Sequence, residues 1–356
     1  MQPPEPNERL ISFIVPALNA AATLGACLDA ILRARPAGSS RQVLLIDNGS
    51  TDQTAEIARQ RGIRVISAPG LTVAAMRNLG ARLAEGHLLA FVDADCVIAP
   101  DWIEKGLANF ADPDVGAVGS PTHVRDRATW VETTWALHRH RENRRRRVEW
   151  LPTENLLIRR TAFHESGGFN DALITCEDVD LCYRVGVRCR IVNDPETRCI
   201  HLGEAQTLMG FFKKEAWRGR GNLSGFFSHR LRLSELPSVL LPLHHGLWAL
   251  VFLGAMGYWV ASGSWLPALV AATMLLLPPS ILALHTGVRT RQIRCFPQLM
   301  SLYMAYAAAR STAMLASALP SSLLTRRGAR ASCLPAKAGR SELLDETIPA
   351  RPSKAR

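Results

Sequence analysis

The chain has 356 residues, 47% of them hydrophobic, which is enough for one sizeable core and a second region. Its net charge of +11 is uneven: basic residues cluster at Arg139, Arg141 and 144–147, and again in 320–356, where eight Lys/Arg face three acidic residues. No recognisable nucleic-acid-binding motif accompanies these clusters, and beside long apolar runs they point to an anionic membrane surface, not to nucleic acid. The eight cysteines form no CxxC pair, and the spacing of Cys176, Cys182, Cys189 and Cys199 matches no zinc template. A reduced, cytosol-facing domain is the simplest account. Residues 1–9 carry no apolar signal segment, so nothing is expected to send the first domain across a membrane.

In chain order, residues 10–15 are an apolar, largely β-branched run that Pro16 is expected to stop. Leu24, Leu28, Ile31 and Leu32 follow at helical spacing. A second strand, 43–46, ends at Asp47, and Asn48-Gly49-Ser50-Thr51-Asp52 supplies a turn and a cap for a helix reaching about Arg61. A short strand at 64–66, a helix over 72–85 and a strand at 88–92 complete the first half. Strands alternating with helices imply a mostly parallel sheet covered on both faces, with ligands beyond the carboxyl ends of its strands. Pro16, Asn19, Asp47 and the Asp93-Ala94-Asp95 pair all fall at those ends. Two carboxylates so close repel each other unless a cation intervenes, and Mg²⁺ or Mn²⁺ bridging diphosphate oxygens would resolve the conflict; a helix-capping turn is the simpler alternative. The glycine-rich first turn of a nicotinamide-binding domain is absent, since Pro16-Ala17-Leu18-Asn19 stands there instead.

The ordered series Ile14-Val15-Pro16-Ala17-Leu18-Asn19, Ile46-Asp47-Asn48-Gly49-Ser50-Thr51-Asp52, Ala75-Met76-Arg77-Asn78-Leu79-Gly80 and Asp93-Ala94-Asp95 resembles a family 2 glycosyltransferase. The resemblance covers roughly residues 10–222 and implies an α/β GT-A fold, a Rossmann-like mixed sheet that uses nucleotide-diphosphate sugars. It further implies that Pro16 and Asn19 line the nucleotide pocket, that Asp47 and Arg77 hold the nucleoside, and that Asp93 and Asp95 serve a diphosphate-bound divalent metal.

In the second half, 102–110 reads as a helix and 115–119 as a strand, while 139–147 reads mostly as a solvated helix face. Thr153-Glu154-Asn155 through Arg160, then Gly167-Gly168-Phe169-Asn170, resembles the family's acceptor-side segment, where glycines let backbone approach a substrate. Glu177-Asp178 opens a helical pattern; capping is the plain explanation, yet an inverting sugar transfer needs a base for the acceptor hydroxyl, and the family places it in an acidic pair here. Asp178 is assigned that role, with Glu177 in support, while Asp180 and Arg184 are expected to pair with each other. His201 follows a strand-like segment where the resemblance implies a metal ligand. Arg218 and Arg220 are candidates to offset charge on the leaving diphosphate. Trp217-Arg218-Gly219-Arg220-Gly221 is not the QxxRW motif of processive synthases, which favours addition of a single sugar.

Residues 239–261 and 265–284 are apolar and long enough to span a bilayer, with Trp248, Tyr258 and Trp259 suited to its interfaces. Arg230 and Arg232 before the pair, and Arg289, Arg291 and Arg294 after it, place both flanks on the cytoplasmic side. A third stretch, 299–319, carries Arg310 near its middle and fits an interfacial or re-entrant helix. The expected organisation is a tail at 1–9, a GT-A catalytic domain at 10–235, transmembrane or interfacial helices at 236–319 and a basic tail at 320–356. The expected activity is metal-assisted transfer of a sugar to an acceptor hydroxyl, on a lipid-linked or membrane-proximal glycan, at the cytosolic face of the inner membrane. The alternative is a non-catalytic, membrane-anchored module that binds nucleotide-sugars.

Overall fold

The computed structural model describes residues 10–34, 40–139, 144–220 and 236–318. Its central sheet is built from β1 (Leu10–Ala17), β2 (Ser40–Asp47), β3 (Arg64–Ser67), β4 (Leu88–Val92), β6 (Val115–Gly119), β7 (Arg146–Val148), β8 (Asn155–Arg159) and β9 (Arg190–Asn193). The spatial order is β3-β2-β1-β4-β8-β6-β9-β7. The first four strands are parallel; β8 then runs antiparallel between β4 and β6, and β7 closes the far edge antiparallel to β9. A second, two-stranded sheet pairs β5 (Cys96–Ile98) with β10 (Cys199–His201), in the register His201 to Cys96. That register carries His201 back to the loop that holds Asp95.

Strand residues alternate between two cores, as a sheet covered on both faces requires. Phe13 and Val15 pack with Leu24, Leu28 and Ile31 of α1 (Ala21–Arg33) and with Trp102 of α4 (Trp102–Ala108). Ile14 and Phe91 face the other way, toward Met76 of α3 (Val73–Leu83), Phe163 of α6 (Arg160–Glu165) and Leu181 of α7 (Glu177–Val185). Helix α2 (Thr54–Arg59) is shorter than expected.

Two local readings change. Strand β1 runs through Pro16 to Ala17, because its ladder to β4 ends at Ile14 and only the β2 side continues; the missing proline N–H falls where one side is already unpaired. The basic stretch 139–147 is not one helix face. Arg139 closes α5 (Trp130–Arg139), residues 140–143 lie outside the described residues, and Arg146 and Arg147 pair with Asn193 and Val192 in the sheet.

Helices α9 (Leu236–Ser262) and α10 (Leu266–Arg289) are long and apolar enough to cross a membrane. Both leave large apolar side chains uncovered, among them Leu247, Leu250, Leu253, Leu269 and Ile281. Arg230 and Arg232 lie outside the described residues. Helix α11 (Phe296–Ala318) is different: Leu299, Leu302 and Tyr303 are buried in a third core with Val131 and Trp135 of α5 and Phe211 of α8 (Leu208–Gly219). Gly219 permits that crossing, since a Cβ there would come within 2.8 Å of the Ala313 Cβ.

Candidate active site

The turns after β1 and β2 are stitched together. Asn19 adopts the left-handed region (φ 50), an uncommon conformation for a non-glycine residue. Its N–H donates to Ser50 Oγ at 2.9 Å and its Oδ1 accepts from the Thr51 N–H at 2.9 Å. Asp47 is buried at the end of β2 and accepts from the Ser50 N–H at 3.2 Å. Pro16 is buried within β1, whereas Asn19 stays exposed.

Arg77, only 3% exposed, gathers three elements. Its Nη2 donates to Asp93 Oδ1, beyond β4, and its Nη1 to Glu177 Oε1, at the start of α7, both at 2.7 Å. The guanidinium also lies 5.7 Å from the centre of the Phe169 ring. Burial works against its charge, but Asp93 and Glu177 outweigh that and raise its pKa. Asp93 is pushed above the usual carboxylate range by burial, with Arg77 opposing and Asp95 and Glu154 adding to the rise.

Asp178 stands beside Glu177, after Cys176, which is also left-handed (φ 68). Its Oδ1 accepts from the Val179 N–H at 2.8 Å, so the helix start holds the carboxyl. Burial, then the neighbouring Glu177 charge, pushes its pKa up to about 7. Asp180 and Arg184 pair at 2.6 Å, away from this arrangement. Asn78 ties the glycine loop to α3: its Nδ2 donates to the Phe169 carbonyl at 2.8 Å and to Asp171 Oδ1 at 2.6 Å. Gly168 has φ 71, and a Cβ there would sit 2.8 Å from Asn78 Oδ1, so the fastening requires glycine.

On the second sheet, His201 Nε2 lies 3.1 Å from Asp95 Oδ2 and Nδ1 lies 3.0 Å from Glu204 Oε1. Glu204 is in turn gripped by Arg139 at 2.5 Å and Lys214 at 3.2 Å. Burial alone would lower the His201 pKa; Glu154, Asp95 and Glu204 override it and raise it to about 10. Donor atoms of Asp95, Cys96 and His201 lie within 4.8 Å of one another. The Cys199 sulfur and burial hold the Cys96 thiol protonated, leaving a carboxylate and an imidazole as donors. Glu204 on Nδ1 and Asp95 on Nε2 hold His201 as an imidazolium; a cation at Asp95 would displace the Nε2 proton and leave Nδ1–H on Glu204, the arrangement of a metal-binding histidine. Gly203 completes the cradle, because a Cβ there would fall 1.9 Å from Asp95 Oδ2. These residues fit a divalent cation that accepts oxygen and nitrogen donors. Asp93 lies outside that cluster, with one oxygen on Arg77.

Arg218 and Arg220 sit at the end of α8. Arg218 Nη1 bonds Glu215 Oε1 at 2.8 Å, and Arg220 is exposed. Glu215 Oε2 receives Arg310 Nη2 from α11 at 2.8 Å, which places that mid-helix charge against α8. The Arg218 carbonyl accepts from Thr175 Oγ1 at 3.2 Å, so α8 also holds the loop before the acidic pair.

Residues 12–169 match the family described as Glycosyl transferase family 2. That segment carries a family 2 glycosyltransferase domain. Among curated relatives of this glycosyltransferase, Glycosyltransferase AglE of Haloferax volcanii is 27% identical over 245 residues, covering 65% of this chain and 79% of that protein. Pre-mycofactocin glycosyltransferase of Mycobacterium tuberculosis is 27% identical over 205 residues, 53% of this chain and 42% of its own length. The chain thus spans less than half of that second relative. The mannosyltransferase PcManGT from Pyrobaculum calidifontis, whose structure holds GDP-Man and Mn²⁺, shares the fold: TM-score 0.56 at 21% identity, over 85% of this chain and 87% of that one.

Sequence reasoning overlooked three carboxylates of this glycosyltransferase. Glu204 follows His201 by three residues, a spacing that could have flagged it. Glu154 was read only as part of the segment opening Thr153-Glu154-Asn155, and Glu215 gave no local signal; Thr122 and Arg310, which bond them, lie 32 and 95 residues away.

Proposed function

We propose that this glycosyltransferase moves a sugar from a nucleoside-diphosphate donor to an acceptor hydroxyl, with inversion, at a membrane surface. The observation that carries this reading is the half-buried Asp178, its pKa pushed to about 7 beside Glu177, which Arg77 ties to Asp93. A carboxyl poised near neutrality can take the acceptor proton as the oxygen attacks the anomeric carbon. Displacement from the opposite face then inverts that carbon.

In this reading the ends of β1 and β2, with Pro16, Asn19 and Asp47, border the nucleoside. Arg77 bounds the sugar-diphosphate side and keeps Asp93 and Glu177 in place, and Arg218 and Arg220 flank the diphosphate. A divalent cation, Mn²⁺ or Mg²⁺, held by Asp95 and His201 with Asp93 beside them, would neutralise charge on the leaving diphosphate. The helices α9 and α10 support membrane anchoring, and the arginines flanking them support a catalytic domain on the cytosolic face of the inner membrane. A lipid-linked or membrane-proximal acceptor follows from that placement. Asp178→Asn provides the test: donor affinity should persist while turnover falls by about 10²–10⁴-fold. Unchanged turnover would remove Asp178 from the mechanism.

A further inference from the structure

Glu154 enters the site from the strand next to Asp93. In the antiparallel pairing of β4 with β8, Val92 lies opposite Asn155, and one step further along each strand come Asp93 and Glu154. The Glu154 side chain is 15% exposed. Its Oε1 accepts from Thr122 Oγ1 at 2.8 Å, whereas its Oε2 lies 3.9 Å from His201 Nδ1, beyond hydrogen-bonding distance. Thr122 is itself buried and precedes His123, whose backbone carbonyl accepts from the His201 N–H. Among the described residues, the Thr122 hydroxyl supplies the hydrogen bond made to this carboxylate.

Its surroundings fix what such a group can touch. His201 offers Nε2 to Asp95, and Glu154 lies on the opposite, Nδ1 side of the ring, so it is not placed to share a cation with Asp95. The register puts it beside Asp93 and within 3.9 Å of His201, at the diphosphate end of the site, and its charge also bears on Asp178, the proposed base, across the interval between the two. In a direct displacement, the ring that bears the anomeric carbon must occupy that interval. Sugar hydroxyls donate, and a carboxylate with a free oxygen accepts.

We propose that Glu154, held in place by Thr122, is a binding residue for the transferred sugar, accepting one of its ring hydroxyls and so contributing to the choice of donor. This rests on the donor reading above. A hydrogen bond to a charged acceptor is strong enough to select among sugars that differ in one hydroxyl, because the wrong epimer leaves the carboxylate unmatched.

The test compares a nucleotide with its sugar conjugate. Full-length wild type, Glu154→Ala and Glu154→Gln are titrated calorimetrically, with Mn²⁺ present, with UDP and UDP-glucose and with GDP and GDP-mannose. For the pair that binds, Glu154→Ala should weaken the sugar conjugate about tenfold or more and leave the bare nucleotide unchanged. Glu154→Gln keeps a carbonyl acceptor and should recover part of the loss. Equal weakening of nucleotide and conjugate would overturn the inference in favour of a role at the cation and diphosphate. Unchanged affinity for both would also overturn it, including the case where the KM for acceptor alone rises. Wild type that binds no nucleotide sugar would sink the donor reading and this inference with it, whereas wild-type binding with an indifferent variant sinks only the inference.

Discussion

Two buried arginine–carboxylate clusters hold this glycosyltransferase together, and they are built with opposite charge balance. At the strand ends, one arginine, Arg77, serves two carboxylates, Asp93 and Glu177, with Asp95, Glu154 and Asp178 nearby. Behind α8, two arginines, Arg218 and Arg310, enclose the single carboxylate Glu215, which is 1% exposed. The second cluster is complete in itself: the charge of its one anion is fully answered, and it fastens α11 to α8. The first is left short of positive charge where a cation and a cationic transition state would arrive. Surplus charge of this kind costs stability and is expected at a site that is completed by a ligand.

The comparison breaks most clearly at Arg77. Arg77→Met leaves two carboxylates without their shared cation, so we expect a loss of about 3–5 kcal/mol in unfolding free energy, together with loss of donor binding. Denaturant unfolding and calorimetry would check the two effects separately. Arg310→Met cuts only one of the two arginines from Glu215. It should cost about 3 kcal/mol, while protein that remains folded keeps its donor affinity. A parallel loss of donor affinity would mean that Arg310 acts in the site through Glu215 and Arg218, and not only in fastening α11.

The acidic pair sharpens the contrast through pH. If Asp178 is the base proposed above, its ionised form does the work, and turnover should fall about tenfold per unit as pH drops below about 7. Stability has the opposite sign. The folded pair keeps a proton that the unfolded chain releases near 3.8, so stability declines as pH rises from there to about 7 and is level above. Melting curves against pH should show this slope in wild type and lose it in Asp178→Asn. The smallest effect is expected at the rim: Asn19→Ala removes the bond to the Thr51 N–H and should cost about 1 kcal/mol with donor affinity only weakly reduced.

What could be read from the chain alone divides along the same line. The parallel half was legible because apolar runs end abruptly in Asn19, Asp47 and Asp93, and such boundaries are local. Asp178 and His201 were singled out by their order in a series of motifs. Arg77 could be singled out but not its partners, since Glu177 lies 100 residues further on. The Glu215–Arg310 pair was invisible for the same reason, and Arg310 alone looked like an obstacle to a membrane helix. Arg146 and Arg147 were assigned to a helix face because a run of like charges says nothing about the edge strand that β9 recruits.

The claim that the strand-end cluster waits for a cation and a nucleotide is most directly tested by thermal shift. Purified protein would be screened against UDP-, GDP-, dTDP- and CMP-linked sugars, each with and without Mn²⁺. Ligand that binds the native state raises the melting temperature by mass action. The account predicts a rise with one nucleotide class that requires the metal and disappears in Asp95→Ala. A rise of equal size without metal, or no rise with any donor in folded protein, would contradict it.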